Sequence, residues 1–298
     1  MDVGVIGLGT MGGRIVRALV DVGHEVMAYD VSSAAMERAA ADGAKLAGSN
    51  AEVGAAVQVA LLSLPLPAHV VEVVTGDLGL LARPAKGLVV VDTSTVDPST
   101  TRQLAKEAAA AGVEYLDAPV LGRPDACGRW SFPVGGNPAA LTAIRPVLEP
   151  LAHTIIHVGE SGAGNTIKLL NTLIFGAINA ITAETFAAAA RLGVAPRKFY
   201  ETIAGSDAAT VSNLFRELGP KILNRDFSPV FTLDLLHKDN SLAMAMLEDA
   251  QASVIVGNAV RTLNGLARAA GYGSEDTSAM VKVYETLLGV EIGASQRH

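Results

Sequence analysis

Val3-Gly4-Val5-Ile6-Gly7-Leu8-Gly9-Thr10-Met11-Gly12 starts as an apolar, β-branched run and passes through three spaced glycines into a helical pattern. Strand, glycine turn, helix is the context in which G-x-G-x-x-G marks a dinucleotide-binding unit rather than an ordinary glycine-rich loop. Gly7 permits the tight turn, Gly9 lets backbone approach a pyrophosphate, and Gly12 allows the helix to pack closely on the strand. Leu8, Thr10 and Met11 complete the turn, where the helix N-terminus offers N–H donors to phosphate. Asp30 stands 18 residues beyond Gly12, at the end of the next predicted strand. A carboxylate there accepts hydrogen bonds from both hydroxyls of an adenosine ribose and repels a 2′-phosphate, which predicts NAD in preference to NADP.

Outward from this unit, short β-branched runs alternate with Ala-rich helical stretches: Val3 to Ile6, His24 to Asp30, Gln58 to Ser63, Leu88 to Asp92 and Glu114 to Asp117. The rhythm predicts βαβ units and a parallel sheet, which Trp130 to Val134 and Thr154 to Val158 extend. Met11, Ile15, Leu19 and Val22 recur at helical spacing and predict one helix face packed on that sheet. After Gly164 strand-like runs nearly vanish. Asn165 to Leu192 contains no proline and is apolar around most of its circumference, predicting a helix of roughly 40 Å covered by neighbours or by a second subunit. The expected architecture is α/β: an N-terminal doubly wound Rossmann-type parallel sheet (1–163) and an all-helical C-terminal domain (164–298) for substrate binding and oligomerisation, joined by the long helix rather than by a flexible tether.

A chain of 298 residues exceeds the usual size of one domain, in keeping with that division. The net charge of -7 argues against a nucleic-acid or anionic-membrane partner. One cysteine, Cys127, forms no internal disulfide, and no Cys/His spacing suits a metal. The start of the chain lacks the pattern of a secretion signal. Ile167 to Ile181, interrupted by Lys168, Asn171 and Asn179, falls short of the apolar length that spans a bilayer. A cytoplasmic protein is expected.

Four further segments follow the glycine turn: Ser63-Leu64-Pro65, Asp92-Thr93-Ser94-Thr95, Asp117-Ala118-Pro119-Val120, and Gly162 to Asn171, the last followed by His237-Lys238-Asp239. In order and spacing the whole chain resembles the 3-hydroxyacid dehydrogenase family, the group containing 3-hydroxyisobutyrate dehydrogenase and tartronate semialdehyde reductase. The resemblance implies hydride transfer between NAD and a small anionic 3-hydroxyacid or the corresponding carbonyl compound. It places Leu64, Pro65 and Thr95 beside the cofactor and brings Lys238 toward it from the helical domain. Phe231 is implied as a residue lining the substrate cleft.

Hydride transfer at an alcohol carbon needs a second group to move the hydroxyl proton. Lys168, in the first turns of the long apolar helix, is the candidate, since partial burial penalises an ammonium and brings its pKa toward neutrality. Asn171, three residues on and on the same helix face, is expected to orient substrate or lysine. The family's small Ser-Gly-Gly triplet after Asp-Ala-Pro-Val is here Leu121-Gly122-Arg123. Val120, Leu121, Gly122 and Arg123 are therefore the expected substrate contacts, with the Arg123 guanidinium replacing the serine hydroxyl as holder of the anionic group. Trp130 reads as core.

Three competing readings stay open at this stage. An imine reductase shares the architecture but generally lacks the lysine; a reductase of sulfonate- or phosphonate-bearing aldehydes would use Arg123; a non-catalytic cofactor-binding module would tolerate loss of Lys168 and Asn171. A homodimer or homotetramer is expected from the apolar surface of the long helix.

Overall fold

The computed structural model describes residues 1–207, 209 and 211–292. The chain divides into two compact units, the first running from Met1 to Lys168 and the second from Leu169 onward. The division falls inside the long helix, after Lys168, where the sequence pattern suggested a boundary after 163.

The first unit is a sheet flanked by helices. In chain order it comprises β1 (Asp2–Ile6), α1 (Thr10–Asp21), β2 (Glu25–Tyr29), α2 (Ser33–Ala41), β3 (Lys45–Leu46), α3 (Asn50–Ala56), β4 (Val59–Leu62), α4 (Pro67–Thr75), β5 (Val89–Asp92), α5 (Pro98–Ala110), β6 (Glu114–Asp117), β7 (Trp130–Gly135), α6 (Pro138–Leu148) and β8 (Ala152–Gly159). The strands lie in the order β3-β2-β1-β4-β5-β6-β7-β8. β1 pairs in parallel with both β2 and β4, so the direction of winding reverses between β1 and β4. An α/β sheet of this kind binds its ligand at that reversal, outside the carboxyl ends of the strands.

The central strands are buried on both faces, as their continuous apolar runs require. Val59 to Leu62 and Val89 to Val91 are buried throughout, and Ile15, Leu19 and Val91 join one core layer while Val53, Val90 and Leu104 join the other. Two expectations are corrected here. Val22 does not pack on the sheet: it caps the end of α1 and is 57% exposed, the helix having ended at Asp21. The sheet is not wholly parallel either, because β7 meets β6 antiparallel through the single pair Asp117 and Gly135 before pairing in parallel with β8. The loop from Ala118 to Arg129 folds the chain back beside β6, so β7 arrives without a crossover helix.

α7 (Ala163–Arg191) opens in the first unit and runs into the second, which continues with α8 (Pro196–Ala204), α9 (Asn213–Leu223), α10 (Leu233–Asp249), α11 (Ile255–Ala269) and α12 (Val281–Leu288). Phe186, Phe215, Leu218, Ile222, Leu233, Met280 and Val281 form its core. By length and composition α7 would pass for a membrane-crossing helix, contrary to the expectation that its polar residues leave it too short. Thr172, Asn179 and Thr182 are nevertheless buried on it, and the Asn179 Nδ2 donates to the Thr277 carbonyl at 3.0 Å. A buried amide NH2 that donates to a carbonyl within the fold marks a core helix.

Candidate active site

The loops that follow β1, β2, β4, β5 and β6 form one rim along the carboxyl edge of the sheet. The Gly7 N–H donates to the Tyr29 carbonyl (3.0 Å), Ser63 N–H to Ile6 (2.9 Å), Thr93 N–H to Leu62 (2.9 Å) and Ala118 N–H to Asp92 (2.8 Å). The Leu64 N–H donates to Ser94 Oγ at 2.9 Å, tying the Leu64-Pro65 turn to the loop that carries Thr95.

Within the glycine turn two positions are closed to any side chain. A Cβ on Gly12 would lie 1.8 Å from the Gly7 carbonyl oxygen, and one on Gly7, whose φ is +86°, would lie 2.3 Å from the Ser63 carbonyl oxygen. At Gly9, by contrast, a Cβ would meet nothing within 4 Å. Gly9 is the N-cap of α1; that helix has no side-chain cap and no acidic residue in its first turn. First-turn N–H groups left unclaimed at an open glycine suit an anionic pyrophosphate. The residues present therefore fit a dinucleotide.

Asp30 follows β2 and braces the same turn. One carboxylate oxygen accepts from the Leu8 N–H at 2.6 Å and the other from the Ser32 N–H at 2.8 Å. Each oxygen retains lone-pair capacity after one such bond. The Asp-x-Ser spacing that makes the second bond was readable in the sequence as an Asx turn; the first needed the fold.

The Lys168 amine donates to the Val120 carbonyl at 2.8 Å and is partly buried. Both partners are held by neighbouring groups. Asp117, fully buried at the end of β6, accepts from the Gly162 N–H (2.8 Å) and the Asn165 N–H (2.9 Å) at the start of α7. Burial pushes the Asp117 pKa up, opposed by those N–H groups. Buried Asp92, at the end of β5, has its pKa raised to about 6 by burial, against hydrogen bonds from Ser94 and from the Tyr115 hydroxyl.

Beyond Val120, Leu121 exchanges both backbone hydrogen bonds with Ser131 (2.9 and 3.1 Å). Buried Trp130 donates its Nε1–H to the Arg123 carbonyl at 2.7 Å, and its ring would lie 2.4 Å from a Cβ on Gly122. Trp130 is core, as read, but it also shapes the turn that carries Arg123.

In the second unit, Asn171 on α7 is exposed. Phe231 stands edge-on to Phe175, ring centroids 5.6 Å apart. Lys238 on α10 pairs with the buried Asp239 at 2.9 Å. The first unit thus brings together Gly7 to Gly12, Asp30, Leu64, Pro65 and Thr95 along one rim, with Val120 joined to Lys168. The partners of Asp117, Asn165, Asp92 and Trp130 escaped the sequence reading, since buried polar contacts between distant segments leave no local pattern.

Comparison with known proteins agrees with this geometry. Residues 2–159 match the family described as the NAD binding domain of 6-phosphogluconate dehydrogenase, and residues 162–284 match the NAD-binding domain of NADP-dependent 3-hydroxyisobutyrate dehydrogenase. A 2-(hydroxymethyl)glutarate dehydrogenase from Eubacterium barkeri is 34% identical, covering 99% of each chain. The chain belongs to the 3-hydroxyacid dehydrogenase family. A 3-hydroxyisobutyrate dehydrogenase from Pseudomonas aeruginosa is also 34% identical, over 95% of this chain and 98% of that one. The solved structure of a 3-hydroxyisobutyrate dehydrogenase from Salmonella typhimurium superposes with a TM-score of 0.87 at 27% identity, covering 95% of this chain and 99% of that one. As a member of the 3-hydroxyacid dehydrogenase family, the chain is a nicotinamide-dependent oxidoreductase.

Proposed function

We propose that the chain interconverts a small anionic 3-hydroxyacid and its carbonyl form, with NAD as the preferred cofactor and Lys168 as the group that moves the proton. The observation that carries this reading is the Lys168 amine held 2.8 Å from the Val120 carbonyl, at the rim where the sheet's loops gather. The substrates named for the relatives, 2-(hydroxymethyl)glutarate and 3-hydroxyisobutyrate, support an anionic hydroxyacid.

When bound, the nicotinamide supplies the acceptor and donor for hydride. The chain's own residues do the rest. In oxidation the Lys168 Nζ takes the hydroxyl proton, and in reduction it returns that proton to the carbonyl oxygen, which spares the substrate a free alkoxide. Arg123, three residues past Val120, binds the anionic group through its fork of donors, with Leu121 and Gly122 lining the same turn. Asn171 orients the substrate through its amide. Lys238 is assigned to the cofactor and Phe231 to the substrate.

NAD over NADP follows from Asp30. Its carboxylate, fixed by Leu8 and Ser32, has lone pairs for ribose hydroxyls and a charge that opposes a 2′-phosphate. A cytoplasmic homodimer or homotetramer is proposed with it. The second copy would cover α7, on which Ile174 and Ile181 are 61% and 53% exposed; sedimentation as a monomer at micromolar concentration would refute the oligomer.

The decisive experiment is Lys168→Ala, assayed by absorbance of reduced cofactor with small hydroxyacids. Turnover is expected to fall by ~100- to 10,000-fold with cofactor affinity nearly intact. Near-normal kcat would remove Lys168 from the mechanism.

A further inference from the structure

The Asp117 carboxylate has no part in proton transfer as described, yet it is fully buried and points at the helix that carries Lys168. Its surroundings admit little else: a Cβ on Gly135 would lie 2.5 Å from Asp117 Oδ1, and a Cβ on Gly164 would lie 2.9 Å from Oδ2. Glycines on both sides leave backbone N–H groups as its partners, those of Gly162 and Asn165.

Two hydrogen bonds then join the same two segments with the same offset. Asp117 and Asn165 are 48 residues apart, and so are Val120 and Lys168. The segment after β6 therefore grips α7 twice in one register, by a side-chain carboxylate at the first helical turn and by a main-chain carbonyl at the lysine. Residues 165 and 168 lie three apart on one helix face, so a shift of the first turn displaces the amine with it.

Asn165 adds a third point of attachment. It is fully buried; its Oδ1 accepts from the Val96 N–H at 3.1 Å and its Nδ2 donates to Thr101 Oγ1 at 3.2 Å. Val96 is next in sequence to Thr95. One side chain therefore registers the loop carrying Thr95 against the helix carrying Lys168.

We infer that Asp117 and Asn165 are positioning residues that set the place of the Lys168 amine, acting on turnover through that amine alone. The inference rests on the proposed role of Lys168. A residue that acts through another loses its effect when the other is removed, which a double-mutant cycle measures.

The test compares Asp117→Asn and Asn165→Leu in two backgrounds, the native chain and Lys168→Ala. Asparagine presents an amide to N–H donors that need an acceptor, and leucine keeps Asn165's shape without its hydrogen bonds. Each variant is checked by circular dichroism, and its cofactor sites are counted by NADH fluorescence titration, so that kcat is expressed per competent site. With Lys168 present, each change is expected to lower kcat by about 10- to 100-fold, the cost of an ångström-scale misplacement, while the Kd for NADH stays within about twofold. In the Lys168→Ala background each is expected to change the residual rate by about twofold or less. Equal losses in both backgrounds would reduce the two residues to structural ones and overturn the inference, as would unchanged kcat with Lys168 present. Should Asp117→Asn fail to fold, Asn165→Leu carries the test. Failure of the Lys168 reading itself is recognised separately, as near-normal turnover in Lys168→Ala alone.

Discussion

Trp130 donates its indole N–H to the backbone carbonyl of Arg123 across 2.7 Å. A fully buried ring, edge-on to Phe132, thereby fixes the turn from which the guanidinium of Arg123 projects. If that guanidinium clamps the substrate anion, Arg123→Ala should raise KM for carboxylate substrates by roughly 10- to 100-fold, the worth of a charge-assisted hydrogen bond. Trp130→Phe, which keeps the aromatic packing and deletes the donor, should raise it about fivefold. Steady-state kinetics with one hydroxyacid decides the matter. An unchanged KM in Arg123→Ala would free the guanidinium from substrate binding.

Asp30 has two duties that mutation can separate. Its carboxylate braces Leu8 and Ser32 by backbone hydrogen bonds, and the proposed preference for NAD assigns its charge to opposing a 2′-phosphate. Asp30→Ala should lower kcat/KM for NAD by roughly 10- to 100-fold and raise it for NADP. Asp30→Asn keeps an acceptor for the turn and should lose less with NAD while still gaining with NADP. A ratio of NAD to NADP efficiency that does not move in either variant would rule out Asp30 as the discriminator.

The glycine turn offers a sharper contrast. At Gly12 a methyl group would collide with the Gly7 carbonyl oxygen at 1.8 Å, whereas at Gly9 it meets open space. Backbone cannot step aside as a flexible side chain can, so Gly12→Ala should cost about 1–3 kcal/mol of overpacking and lower Tm by several degrees. Gly9→Ala should leave Tm unchanged and raise KM for NAD, because its methyl intrudes only on a bound pyrophosphate. A thermal melt and an NAD titration of both proteins distinguish the two roles; a Gly9→Ala enzyme with normal KM would place the pyrophosphate elsewhere.

The sheet was legible because its signals are local. Apolar runs such as Val59 to Leu62 bury on both faces, and the glycine turn after Ile6 declares a strand-to-helix junction within a dozen residues. β3 escaped notice because two residues, Lys45 and Leu46, carry no periodicity. The antiparallel entry of β7 was hidden since strand direction depends on how the loop from 118 to 129 folds back, which no alternation encodes. Lys168 and Asp30 stood out as charges in apolar or strand-ending context. Asp117 and Asn165 did not, because what matters about them is a partner tens of residues away.

Asp92 makes stability depend on pH in a direction opposite to that of a salt-bridged carboxylate. It is fully buried, and burial raises its pKa from 3.8 to about 6 despite hydrogen bonds from the Ser94 N–H and the Tyr115 hydroxyl, each 2.9 Å long. Between those two pKa values the folded chain binds a proton that the unfolded chain has released, so the Asp92 contribution is present at low pH and is lost as pH rises through about 6. The shift corresponds to about 3 kcal/mol. Asp92→Asn removes the titration and keeps both contacts, since its amide oxygen accepts from Ser94 and its NH2 donates to the Tyr115 oxygen. Urea unfolding of the two proteins should therefore show the asparagine variant gaining on the native chain as pH rises from about 4 to 8. Asp117 is raised by burial as well, and its charge helps to raise the Asp92 pKa. A gap between the two proteins that stays constant over that range would mean that Asp92 ionises at its ordinary pKa inside the fold.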